Sequence, residues 1–137
     1  MPVIRAAPEA IADALRVLII DDNDALGQTL QWLVEGEGHT ARVFSDGQSG
    51  LYAAHDFRPH LVLLDIGMPE PNGLDICRSL RTDPDLVDTR IIAQTGWGDP
   101  SMRRKVHDAG FDLHLVKPVE FSVLRDIMTE TRDRLSR

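Results

Sequence analysis

Short aliphatic runs alternate along the chain with longer stretches whose apolar residues recur every three or four positions. Residues 16–20, 60–64 and 90–94 are aliphatic except at their ends, the pattern of strands covered on both faces. Residues 39–44 alternate weakly and read as a second strand at a sheet edge, and residues 112–117 read as the fifth. Between the strands the spacing predicts helices. The first runs from an Asp22 or Asn23 cap to about Glu37, with Ala25, Leu26, Thr29, Leu30, Leu33 and Val34 on one stripe and Gly36 and Gly38 closing it. The second opens at Ser45 or Asp46 and reaches about Phe57, Leu51 and Ala54 facing inward. Asn72 caps the third, which carries Leu74, Cys77 and Leu80 on one face. Asp99-Pro100 opens the fourth, which ends near Gly110. The last runs from about Glu120 to Leu135, with Phe121, Leu124, Ile127, Met128, Thr131 and Leu135 in line.

Strands that alternate with helices imply a parallel sheet covered on both faces. Such sheets place their sites beyond the carboxyl ends of the strands. Strand one ends in Asp21-Asp22, strand three in Asp65, strand four in Thr95, and strand five in Lys117 followed by Pro118. Three carboxylates, a hydroxyl and an ammonium therefore converge on one rim. Two like charges about 4 Å apart repel by ~4 kcal/mol at an effective dielectric near 20, and Lys117 offsets only one of the three. A divalent cation would offset the rest. A donor set of oxygens alone, without His or Cys, points to Mg²⁺ rather than zinc. Metal, Lys117 and Thr95 together suit phosphoryl chemistry, with Asp65 as a nucleophile that would form an aspartyl phosphate.

Composition narrows the picture. The chain has 137 residues and a formal net charge of -7, which suits one domain and disfavours binding to nucleic acid or an anionic membrane surface. No apolar run approaches the roughly 18 residues of a membrane span, and the first residues do not read as a signal peptide; a cytoplasmic location is expected. Cys77, the sole cysteine, reads as a small buried hydrophobe. Residues 1–14 read as an extension, with an added helical turn near Pro8 to Leu15, and residues 15–137 as the domain. His39, His55, His60 and His107 read as surface residues and Trp32 as packing. Arg103-Arg104-Lys105 reads as a solvated helix face or a contact for an acidic partner.

Five segments carry a family resemblance: Val17-Leu-Ile-Ile-Asp-Asp-Asn23, Leu64-Asp-Ile-Gly-Met-Pro69, Asn72-Gly73, Thr95-Gly96 and Val116-Lys-Pro118. In this order and spacing they resemble the hallmark segments of response-regulator receivers of two-component signalling. Thr95-Gly-Trp-Gly-Asp99 with Ala109-Gly-Phe-Asp112 resembles receivers of hybrid sensor histidine kinases. The resemblance implies an α/β fold, a five-stranded parallel sheet in flavodoxin-like order 2-1-3-4-5. It implies Asp65 as phosphoacceptor, Asp22 and Asp65 as direct Mg²⁺ ligands, Asp21 as an acid holding the metal through water, and Gly67 as a backbone carbonyl ligand. Thr95 matches the switch hydroxyl, Lys117 its lysine, and Pro118 a proline usually preceded by a cis bond. Two departures stand out. His114 occupies the position, three before the lysine, where the family usually has Tyr or Phe. Gly67 and Trp97 stand where other members carry polar groups that act on the attacking water, so slow autodephosphorylation is expected.

The function that follows is a switch phosphorylated by a histidine kinase or a phosphotransfer protein, with output by protein contact, by phosphorelay or through a longer parent protein. It would be no enzyme beyond catalysing its own phosphorylation and dephosphorylation. The alternatives are a receiver-like interaction module not controlled by phosphorylation, a phosphatase using an aspartyl phosphate, and a flavin or nucleotide binder. Gly67, where such phosphatases want a second Asp, disfavours the phosphatase. The lack of a glycine-rich loop after strand one disfavours the nucleotide binder.

Overall fold

A computed structural model describes residues 14–96, 98 and 100–135; all of the expected extension but its last residue, together with Trp97 and the Asp99 cap, lies outside them. The strands are β1 (Arg16–Ile20), β2 (Thr40–Phe44), β3 (Leu61–Asp65), β4 (Arg90–Thr95) and β5 (Leu113–Val116). The helices are α1 (Asp24–Gly36), α2 (Gly47–Phe57), α3 (Gly73–Arg81), α4 (Pro100–Ala109) and α5 (Phe121–Leu135), with one 3₁₀ turn at Pro84–Leu86. All neighbouring strands are parallel, in the order β2-β1-β3-β4-β5. This is the flavodoxin-like order, with the direction of winding reversed between β1 and β3.

The aliphatic strands divide their side chains between two cores, because successive residues point to opposite faces. Val17, Ile19, Leu61, Leu63 and Ile92 pack with Leu30 and Val34 of α1 and Leu124, Ile127 and Met128 of α5. Leu18, Ile20, Val62, Leu64, Ile91 and Ala93 pack with α2, α3 and α4 through Ala54, Phe57, Ile76, Cys77, Leu80, Val106 and Ala109. Burial pushes the Cys77 thiol up to about 11, and the residue packs as a hydrophobe.

Side chains settle which cap candidates act. Asn23, Asp46 and Asn72 accept the N–H groups of Leu26, Ser49 and Asp75 at 3.0, 2.8 and 3.0 Å. Gly38 and Gly110 take positive φ after α1 and α4. Three expectations need correction. Trp32 is 66 % exposed and Leu135 52 % exposed; neither packs in a core, where α1 buries Gly27, Leu30 and Val34 and α5 buries Leu124, Ile127, Met128 and Thr131 instead. His39 is buried rather than superficial. The Leu15 N–H donates to its Nδ1 at 2.9 Å, and the Arg16 N–H likewise to Nδ1 of half-buried His60 at 2.9 Å.

Candidate phosphoacceptor site

The carboxyl ends of β1, β3 and β4 and the β5–α5 connection meet at one rim. Asp21 follows β1 and is 2 % exposed. Its Oδ1 accepts the Asn23 N–H at 2.9 Å, so it braces the turn that starts α1 while its Oδ2 lies 3.1 Å from Lys117 Nζ. Asp65 ends β3 and is 7 % exposed; its Oδ1 accepts the Gly67 N–H at 2.8 Å and its Oδ2 lies 3.3 Å from the same ammonium. Asp22 is exposed. One carboxylate oxygen from each of Asp21, Asp22 and Asp65 falls within 4.8 Å of the others.

Lys117 is placed by its backbone, whose N–H donates to the Thr95 carbonyl at 2.8 Å, and its bond to Pro118 is cis. Thr95, 1 % exposed, stands one residue beyond the Asp65–Gln94 register pair. His114 lies half-buried on β5 opposite Ala93, one strand further from Asp65. Gly73 keeps the loop after β3 compact: a Cβ there would lie 2.6 Å from Ile66 Cα and 2.8 Å from the Asp65 carbonyl oxygen.

The charges are unbalanced. Burial raises the Asp21 carboxyl above the usual carboxylate range and the Asp65 charge adds to this, against the Asn23 N–H and Lys117, which lower it. Burial pulls the Lys117 ammonium down, but its hydrogen bond to Asp21 and the charges of Asp21 and Asp65 more than offset that, and the net is upward. Both shifts fit a rim with more negative than positive charge. Oxygen donors in surplus, gathered from two strand ends, fit a hard divalent cation such as Mg²⁺.

The sequence anticipated the acids and Lys117 but not the double engagement of Asp21. The i to i+2 spacing of Asp21 and Asn23, that of a side chain capping its own turn, is the signal that could have shown it. A doubly wound sheet with acids and a lysine at its switch point defines a class of α/β proteins. The comparisons narrow it. Residues 17–129 match the response regulator receiver domain family, and the chain belongs to that family. It is 34 % identical over 122 residues to the DNA-binding response regulator MtrA of Mycolicibacterium smegmatis, across 89 % of this chain and 51 % of that one. It is 32 % identical over 123 residues to the response regulator MprA of Mycolicibacterium vanbaalenii, across 90 % and 51 %. The chain spans about half the length of these relatives. Among solved structures, the receiver domain of a signal transduction histidine kinase from Syntrophus aciditrophicus superposes with a TM-score of 0.82 at 27 % identity, covering 90 % of this chain and 94 % of that one. Vibrio cholerae chemotaxis protein CheY4 shares the fold, with a TM-score of 0.81 at 22 % identity, covering 86 % and 98 %. The chain is thus a two-component receiver, and among its described residues no helix is long and apolar enough to cross a membrane.

Proposed function

We propose that residues 15–137 form a receiver that takes a phosphoryl group onto Asp65 from a histidine kinase or a phosphotransfer protein, in the cytoplasm, and passes the signal by protein contact or phosphorelay. The observation that carries this reading is the position of Lys117 Nζ, 3.1 Å from Asp21 and 3.3 Å from Asp65. An Asp65 oxygen attacks phosphorus, the phosphorus–nitrogen bond of the donor histidine breaks, and the histidine leaves with the bonding pair. Lys117 neutralises the phosphoryl oxygens, and the Thr95 hydroxyl donates to one of them. Asp21, Asp22, Asp65 and the Gly67 carbonyl would hold Mg²⁺, which supplies further neutralisation of the transferred group. His114, in the aromatic position of the family, reports the state of Thr95 to the surface of β5. Gly67 offers no side chain to orient a hydrolytic water, which supports a long-lived phosphoryl group and a switch rather than a turnover enzyme. No nucleic-acid contact is assigned to this domain.

Incubation with acetyl phosphate and Mg²⁺ tests the assignment. We expect one labelled site, lost in Asp65→Asn and strongly reduced in Lys117→Ala. Label that persists in Asp65→Asn places the acceptor elsewhere and removes the proposal.

A further inference from the structure

A cavity of about 400 Å³ opens at the opposite, amino-terminal rim of the sheet, inside the roughly 300–1,000 Å³ range of small-ligand pockets. The five residues of β1 separate this rim from Asp21, about 17 Å of extended chain. Its wall brings together Arg16 from β1, Arg58 and His60 from the α2–β3 connection, Arg90 from β4 and Arg134 from the last turn of α5. Asp85 and Asp88 are the lining acids. Among the described residues, four guanidiniums meet these two carboxylates and the Glu130 carboxylate that pairs with Arg90, a local surplus of one positive charge in a chain whose net charge is -7.

Two arginines of this wall are held in defined places. Arg90 is only 8 % exposed. Thr131 Oγ1 and Glu130 Oε1, each at 3.2 Å, both engage its Nη1, while its buried Nε has no acceptor among the described residues. A guanidinium so far from water is costly unless its donors are used. Arg58 stands at φ 49, in the left-handed region where glycine avoids a steric penalty, yet the position carries a long cationic side chain whose Nη2 lies 3.3 Å from Asp85. Arg16 is pinned beside it, its Nε donating to the Phe57 and Arg58 carbonyls at 3.0 Å each.

We propose that this rim binds a small organic phosphate, a phosphomonoester or a diphosphate, between Arg16, Arg58, Arg90 and Arg134. Guanidinium forks match phosphate oxygens two at a time. A phosphomonoester carries about −1.5 to −2 charges at neutral pH, opposite in sign to the surplus of the pocket. Pro59 and Leu135 in the lining leave an apolar wall for the organic part. The site is separate from Asp65 and does not depend on its phosphorylation.

Isothermal titration of the full chain without Mg²⁺, using pyrophosphate and adenosine monophosphate as probes, tests this. Saturable binding is expected that weakens as salt rises, with a loss of about tenfold or more when Arg58→Gly and Arg134→Ala are combined. Glycine suits the left-handed position, so the double variant should keep its unfolding midpoint within about 3 °C, which separates loss of ligand from loss of fold. Asp65→Asn should bind as the unaltered chain does. The proposal is overturned by an absence of saturation with both probes, by unchanged affinity in the double variant, or by loss of binding in Asp65→Asn. A chain that ignores both phosphates but binds a poly-glutamate peptide also overturns it, and gives the rim to an acidic protein segment instead.

Discussion

Asp21 and Asp22 are neighbours in sequence and opposites in environment. Asp21 is 2 % exposed and doubly engaged, whereas Asp22 stands in solvent. Their substitutions should therefore separate metal binding from folding. Asp22→Asn is expected to weaken Mg²⁺ binding by about tenfold or more while leaving stability within about 0.5 kcal/mol; calorimetric Mg²⁺ titration and urea unfolding read the two. A large stability loss with unchanged Mg²⁺ affinity would reverse the roles given to the pair. Gly73→Ala should do the opposite. Its new Cβ meets backbone atoms of Ile66 and Asp65 at 2.6 and 2.8 Å, and relieving that contact costs about 1–3 kcal/mol, read as a lower urea midpoint. At this scale the acids were legible because each directly follows an aliphatic run. The acceptor roles of His39 and His60 were not, because their donors lie 24 and 44 positions away in sequence and nothing local announces such a partner.

Those two histidines tie the start of β1 to the starts of β2 and β3, which makes one edge of the sheet sensitive to acid. Each Nδ1 accepts a backbone N–H, a role open only to the neutral ring. Burial lowers the His39 pKa, with Arg132 adding and Glu37 opposing. Burial also lowers that of His60, with Arg16 and His39 adding. Each folded pKa thus lies below the unfolded value of about 6.5, so the unfolded chain takes up protons first. The contribution of this pair is complete above about pH 6.5 and is lost as pH falls toward the folded values. The unfolding midpoint should fall on acidification from pH 7 to 5.5, and less so in His39→Asn with His60→Asn, whose amides accept without titrating. Equal falls in both proteins would assign the effect to other groups. Elements as such were well foreshadowed, except that β5 is shorter than the spacing of residues 112–117 suggests. Asp112 donates its backbone N–H to the Ile91 carbonyl at 2.8 Å, but its side chain takes the Ile91 N–H at 2.8 Å and pairs with Arg81 at 2.7 Å, so the residue clasps β4 just ahead of the strand.

For the molecule as a whole, the parallel sheet followed from the alternation of elements and its strand order from the family resemblance, while the basic cavity at the far rim followed from neither, because its arginines come from four places that only the closed sheet unites. The site rim also stores an imbalance that the entire fold bears. Asp21, Asp22 and Asp65 crowd their oxygens within 4.8 Å against the ammonium of Lys117, and unfolding lets these charges separate. A cation that binds only the folded rim shifts the global equilibrium by mass action. At a concentration one hundred times its dissociation constant the gain is about 2.7 kcal/mol. For a domain of this size that corresponds to a rise in unfolding midpoint on the order of 10 °C. Mg²⁺ should produce this rise, and NaCl at matched ionic strength should not, because screening acts on exposed pairs and leaves buried Asp21 and Asp65 largely untouched. Asp65→Asn, which removes one carboxylate, should unfold at a higher temperature than the unaltered chain without Mg²⁺ and gain less from its addition. Scanning calorimetry of both proteins with each salt decides the matter: if Na⁺ and Mg²⁺ stabilise alike, or Asp65→Asn keeps the full Mg²⁺ gain, then the strain at this rim is relieved by general screening and the carboxylates do not act as one cation site.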